Sequence, residues 1–361
     1  MRISAGARRL LIRSGVAKLL YRSEAVKRFY RRWIRDRLGD QPNNYNIQLS
    51  SICNALCVFC TYPQLKESGT PQLHISDDSF DRAIELIRKQ PRPIVCFTPT
   101  TGEVLVNSRW AERVQTALDL PFVREVYFYS NAISLNRKNI DRLLGLKNRE
   151  KLRVNFSTGG TDRELYHAMY GVDRFDKVAR NINALFEVLA ERGESVPVGV
   201  DVKLRPGDRV SNDLLEKTYN KAGYRYAQFI QSNELSDLGG VVAGEFTIRY
   251  KLQARDNRPC HGLGNFRFAA NGDIWLCGCA FSEPPGSTEL RVGHAKGWAD
   301  LAAAEEHQRT LADAWRDHND VPEPCKHCPI YQPEPASAAR ERRSAPLPPA
   351  DRPVRLPVLN H

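Results

Sequence analysis

The stretch Cys53-Asn54-Ala55-Leu56-Cys57-Val58-Phe59-Cys60 sets three cysteines at C-x3-C-x2-C spacing, just after the alternating run Tyr45-Asn46-Ile47-Gln48-Leu49. That run reads as a β-strand, so one short loop at a strand end carries three thiols. A four-iron cluster accepts them readily, because three protein thiolates satisfy three irons and leave the fourth open to a bidentate small molecule. A structural zinc ion would instead need a fourth ligand to close its tetrahedron. The nearest histidine is His74, fourteen residues on. Both metals stay open on spacing alone.

Outward from this loop, β-rich runs alternate with helical patterns. Tyr45-Leu49, Ile94-Phe97, Glu125-Tyr129, Leu152-Phe156, Val198-Lys203 and Tyr226-Ile230 read as strands. Asp77-Arg88, Trp110-Leu118, Ile140-Leu144, Phe175-Leu189 and Asn212-Ala222 read as the helices between them. Alternation of this kind predicts a parallel sheet with crossover helices, either an open doubly wound sheet or a partial barrel. Periodicity does not choose between them.

With its aromatic Phe59 and its place after the first strand, the cysteine loop resembles the signature of the radical SAM enzymes. The resemblance covers roughly residues 44–230 and implies an α/β fold, a partial (β/α)6 TIM-like barrel. It also implies a 4Fe-4S cluster on Cys53, Cys57 and Cys60, whose open iron chelates S-adenosylmethionine, with the Phe59 position against the adenine. Later marks are worn. Thr100-Thr101-Gly102-Glu103-Val104 keeps Gly102 and Glu103 of the family's Gly-Gly-Glu-Pro, which meets the SAM amino group; Ser130-Asn131-Ala132 resembles Thr-Asn-Gly; Ser157 in Phe156-Ser157-Thr158-Gly159-Gly160 matches a SAM contact on strand four. The family chemistry implied is reductive cleavage of SAM to a 5′-deoxyadenosyl radical that abstracts hydrogen, fed by an electron donor such as flavodoxin or ferredoxin. The sequence identifies no catalytic acid or base.

The second cysteine group is Cys260, Cys277, Cys279, Cys325 and Cys328. Cys260 and Cys277 bracket a hairpin, since Asn271-Gly272 separates the strand patterns Phe266-Ala269 and Asp273-Leu276. Cys325-x2-Cys328 follows a helical pattern at Trp298-Trp315. Four thiols from two places fit a zinc ribbon or an iron-sulfur cluster. The arrangement is similar to the SPASM extension or its shortened form, twitch, which implies one auxiliary 4Fe-4S cluster on Cys260, Cys277, Cys325 and Cys328. Cys277 is favoured over Cys279 because it keeps the x4 spacing from Gly272. Such a cluster suits a net oxidation, a dehydrogenation or bond formation, by accepting an electron from substrate. Cys96 reads as a buried small residue, and His261, His294 and His327 as solvent-facing. Asp201, Lys203 and Arg205 end strand five, where they either touch ligand or are solvated charges.

Of the +11 formal charge, residues 1–40 hold +9, twelve Lys/Arg against Glu24, Asp36 and Asp40. The other 321 residues hold only +2, which does not suit a groove for nucleic acid. The expected organisation is a basic amphipathic helical extension at 1–43, a core at 44–240, the auxiliary domain at 241–332 and a tail at 333–361 with seven prolines. In the extension, Val26, Phe29, Tyr30, Trp33, Ile34 and Leu38 form a helical stripe that docks on the main domain or meets a membrane surface or acidic partner. Clustered cysteines without a secretory signal suggest a reducing cytoplasm. With only about 44 residues before strand one, too few for a peptide-recognition winged helix, a small-molecule substrate is expected ahead of a ribosomal peptide. A non-catalytic electron carrier or zinc-binding protein is the alternative from another class.

Overall fold

The computed structural model describes residues 44–98, 101–236, 242, 244–248, 259–277, 289–298 and 301–326. The N-terminal stripe, Cys279, His327, Cys328 and the proline-rich tail lie outside the described residues.

The order is β1 (Asn44–Ile47), α1 (Tyr62–Glu67), α2 (Asp77–Arg88), β2 (Ile94–Cys96), α3 (Trp110–Leu118), β3 (Glu125–Ser130), α4 (Arg137–Leu144) and β4 (Leu152–Gly159). There follow α5 (Arg163–Tyr170), α6 (Phe175–Glu191), β5 (Val198–Lys203), α7 (Asn212–Tyr219), β6 (Ala227–Ser232), β7 (Leu235–Ser236) and β8 (Thr247–Ile248). The remainder is β9 (Phe266–Phe268), β10 (Asp273–Leu276), β11 (Arg291–His294), α8 (Ala302–His318) and α9 (Glu323–Lys326).

Strands β1 to β6 are parallel and neighbour one another in chain order. A doubly wound sheet reverses its strand order midway, whereas sequential neighbours wind one way, as in the partial barrel expected. The alternation within each strand decides which face holds the core. In β5, Val198, Val200 and Val202 are buried in one apolar cluster with Ile182, Leu185 and Phe186 of α6. Gly199, Asp201 and Lys203 therefore take the opposite face, which also carries Tyr127, Tyr129, Asn155 and Ser157. At the other edge β9 pairs parallel with β1, Tyr45 opposite Phe266, and β10 and β11 follow antiparallel. The hairpin expected from Asn271-Gly272 is thus present and continues the same sheet across the 240/241 boundary.

Helix starts follow their caps. Ser76, Asn136, Asp162 and Ser211 each accept a backbone N–H three residues on, worth about 1 kcal/mol per cap. Asn136 is why α4 begins at Arg137, ahead of the Ile140 start expected. The β4–β5 connection holds two helices where one was expected, split by Gly171 at φ 66°.

Candidate metal centre

The loop that follows β1 is held from three sides. Leu49 O accepts from Asn107 Nδ2 at 2.9 Å, and Ile52 O from Glu103 N at 2.9 Å, which ties the loop to the segment after β2. Asn54 donates to Ser134 Oγ at 2.9 Å and accepts from Asn131 Nδ2 at 2.7 Å, beyond β3. Leu56 N and Val58 N donate to Tyr170 O and Met169 O at the end of α5. Two glycines permit this. A Cβ on Gly102, at φ 95°, would stand 1.8 Å from Ser50 O; one on Gly171 would stand 2.6 Å from Leu56 O.

The three thiols lie close enough to raise one another. Burial pushes Cys53 up to about 12, with Glu103 adding to it. Cys57 is raised well above the ordinary range by burial, then by Cys60 and Cys53, and Cys60 by burial. Bound iron would reverse this upward shift, because a coordinating thiol is deprotonated. N–H groups already point at the sulfurs, Tyr62 N at 3.4 Å from Cys60 Sγ and Asn131 Nδ2 at 3.7 Å from Cys53 Sγ. Hydrogen bonds of this kind stabilise the negative sulfurs of a cluster. Two buried hydroxyls, Thr61 Oγ1 next to Cys60 and Tyr166 Oη in α5, have no hydrogen-bond partner. Desolvated thiols on one loop and N–H donors aimed at their sulfurs together fit an iron-sulfur cluster.

Among the described residues, no group of three or more His, Cys, Asp or Glu side chains is placed to hold a single metal ion, and His74 is exposed. A cluster does not need such convergence, since each thiolate meets a different iron.

The other candidate residues gather around the thiols. Glu103 is 2 % exposed and spans the two loops: Oε1 accepts from Leu105 N at 3.0 Å and Ser130 Oγ at 2.8 Å, and Oε2 from Asn131 N at 2.8 Å. Burial raises its pKa against these donors. Phe59 meets Tyr170 edge-on at 5.4 Å, and Tyr170 Oη lies 3.0 Å from Ser157 Oγ. Cys53, Cys57, Cys60, Phe59, Gly102, Glu103, Ser130, Asn131 and Ser157 are thereby linked into one neighbourhood. Asp201 and Lys203 are not solvated: they pair at 2.5 Å with side chains 11 % and 16 % exposed, and Ser232 Oγ donates to Asp201 at 2.7 Å. Arg205 turns instead to the face of Phe246, 5.7 Å from its centroid.

In the second cysteine group, a Cβ on Gly262 would meet Cys260 Sγ at 3.3 Å and Cys277 Sγ at 3.5 Å, so both sulfurs face one small space. Cys277 adopts φ 68°, a rare conformation for a non-glycine residue. Cys325 is buried. A glycine kept open between two sulfurs fits a shared metal group. His294 closes on its own hairpin, with Nε2 3.1 Å from Asn271 O. Cys96 is buried, as its sequence setting suggests.

Sequence reasoning missed Tyr166 and Tyr170, because it missed α5. The signal was there in Asp162 as a cap, aromatics four residues apart and Gly171 as a stop.

Residues 47–201, less than half of the chain, match the family model described as Radical SAM superfamily. A GTP 3′,8-cyclase from Chlorobaculum tepidum is 29% identical over 157 residues, 42% of this chain and 43% of that protein. The match thus spans less than half the length of this curated relative. Among solved structures, Streptococcus suis SuiB bound to precursor peptide SuiA is similar at TM-score 0.50 and 13% identity, covering 80% of this chain and 70% of that one. Native anSMEcpe with bound AdoMet and Cp18Cys peptide gives TM-score 0.50 and 13% identity over 80% and 88%. At these identities the likeness is one of fold. No helix among the described residues is long and apolar enough to cross a membrane.

Proposed function

We propose that this chain is a radical SAM enzyme that holds a 4Fe-4S cluster on Cys53, Cys57 and Cys60, binds S-adenosylmethionine beside it, and oxidises a polar small molecule. When bound, cluster and SAM supply one-electron cleavage of the sulfonium and a 5′-deoxyadenosyl radical that takes a hydrogen atom from substrate. The observation that carries the reading is the tying of the three-cysteine loop to the segments that follow β2 and β3, through Glu103 and Asn131, and to the end of α5, where Tyr170 also reaches Ser157 near the carboxyl end of β4. That end of a β/α barrel is where such folds build their sites.

The chain's own residues then divide the work. Three of the roughly four lone-pair positions of Glu103 are filled, so one remains for the SAM ammonium. Gly102 lets Ser50 O close against the segment that carries Glu103, and Phe59, fixed by Tyr170, is the proposed adenine contact. Ser130 and Asn131 hold Glu103 and the cysteine loop in register, while Ser157 presents a hydroxyl already ordered by Tyr170. Asp201 uses one of the three ammonium donors of Lys203, which leaves the others to meet an acceptor on substrate. Cys260, Cys277, Cys325 and Cys328 are proposed to hold the auxiliary cluster, supported by the sulfur-facing gap at Gly262. Reducing equivalents would come from a flavodoxin- or ferredoxin-type donor.

Anaerobically reconstituted protein given dithionite and SAM should release 5′-deoxyadenosine; none from fully iron-loaded protein would refute the enzyme reading and favour a carrier. About eight irons per chain accords with two clusters, whereas about four irons plus one zinc would remove the auxiliary cluster.

A further inference from the structure

Gly199 sits in β5 without the positive φ that calls for glycine, so space rather than backbone conformation accounts for it. A Cβ there would collide with Asn155 Oδ1 and stand 3.2 Å from Asn155 Cγ. The Asn155 amide therefore lies across the glycine. Asn155 is 7 % exposed, yet its amide makes no hydrogen bond among the described residues, and neither of its polar atoms is fully enclosed. Folded proteins rarely leave a polar side chain so deep without a partner.

The sheet register fixes what surrounds this amide. Parallel pairing sets Tyr129, Asn155, Gly199 and Gln228 side by side across β3, β4, β5 and β6, with about 4.8 Å between neighbouring strands. Asp201 and Lys203 share that face nearer the carboxyl end. Ser157 is in register with Asp201, so Asn155 lies about 7 Å deeper than the proposed SAM contact on the same strand.

On β1 to β6 the charges of this face cancel in two ion pairs, Lys203 with Asp201 at 2.5 Å and Arg153 with Glu125 at 3.1 Å. Arg267, on β9 and four strands along the sheet from β4, lies over the ring of Trp275. An anionic ligand beside Asn155 would thus be taken out of water with no uncompensated cation to meet it, which is costly. Hydroxyl groups, donors and acceptors at once, match an amide, a phenol and the further N–H donors of Lys203. Burial, then Asp201, pushes the Tyr129 phenol up to about 12, so it serves as a neutral donor.

We propose that Asn155, seated by Gly199, is a specificity-determining residue that hydrogen-bonds the substrate, and that this substrate is uncharged and rich in hydroxyls, of the sugar class. The inference deepens the enzyme reading above and rests on it.

The test is saturation-transfer difference NMR on the full chain, reconstituted with iron and sulfide and kept oxidised with SAM. Glucose, N-acetylglucosamine and methyl glucoside are compared with glucose 6-phosphate and GTP. Saturation should reach the ring protons of at least one sugar, with both phosphorylated compounds bound more weakly by about tenfold or more. Asn155→Ala should weaken binding of that sugar about tenfold. Gly199→Ala displaces the amide and should weaken it as much, while the double variant should be no weaker than either alone. Two independent packing defects would instead add. The ligand comparison on unmutated protein decides the matter should a variant fail to load iron. In a protein that releases 5′-deoxyadenosine, binding of no sugar, tighter binding of glucose 6-phosphate or GTP, or additive losses in the double variant overturns the inference alone. A protein that releases none overturns the enzyme reading, and the inference with it.

Discussion

Gly171→Ala separates the fold from the site with one methyl group. Gly171 ends α5 at φ 66°, and its added Cβ would lie 2.6 Å from Leu56 O and 2.9 Å from Leu56 Cβ. The left-handed backbone alone costs about 1–2 kcal/mol for an L-residue. Relief of the contact must move Leu56, between Cys53 and Cys57, and so endangers its N–H bond to Tyr170 O, worth about 1 kcal/mol. Gly193 is the internal reference, since it has φ 62° with nothing within 4 Å of its Cβ. Gly193→Ala should carry the backbone term only. Thermal unfolding should place both variants below the parent, at about 2–4 °C per kcal/mol for a domain of this order, with Gly171→Ala lower by about one further kcal/mol. Iron content on reconstitution should fall in Gly171→Ala and stay at the parental level in Gly193→Ala. Equal melting temperatures together with equal iron content would refute the claim that α5 seats the cysteine loop.

Other outcomes follow from the same contacts. Ser130→Ala removes a donor from the buried carboxyl of Glu103 and should destabilise the protein by about 1–3 kcal/mol in denaturant titration. Asp201→Asn strands Lys203 in the sheet interior and should cost about 3 kcal/mol, while Asp201→Asn with Lys203→Met should recover much of the loss; a double variant no more stable than the single would show that the pair is not coupled. Cys277→Ala should halve the iron content without abolishing 5′-deoxyadenosine release, and Cys279→Ala should leave iron content unchanged; the reverse pattern would move the auxiliary ligand to Cys279.

Local patterns carried much of the core. The bounds of α2, α3, β5 and β10 follow directly from apolar periodicity and caps. Winding direction did not show in any window, because it depends on which strands become neighbours, and only the unbroken order β1 to β6 excludes the doubly wound sheet. The pairing of Tyr45 with Phe266 was equally hidden, since its partners are separated by more than 200 residues. At the site, the cysteines were legible because metal ligation fixes residue type and spacing at once. The bracing of Glu103 by Ser130 and Asn131, and the burial of the Asp201–Lys203 pair, were not, because each depends on side chains meeting across strands. Ser232, which completes that pair from β6, left no mark in the sequence at all.

The most direct examination of the central claim is electron-nuclear double resonance on the reduced protein with SAM labelled by nitrogen-15 at its amino group. The account predicts a nitrogen coupling to the Cys53/Cys57/Cys60 cluster that appears with labelled SAM and vanishes without it. A cluster whose fourth iron instead couples to a protein side chain, whether SAM is present or not, would contradict it.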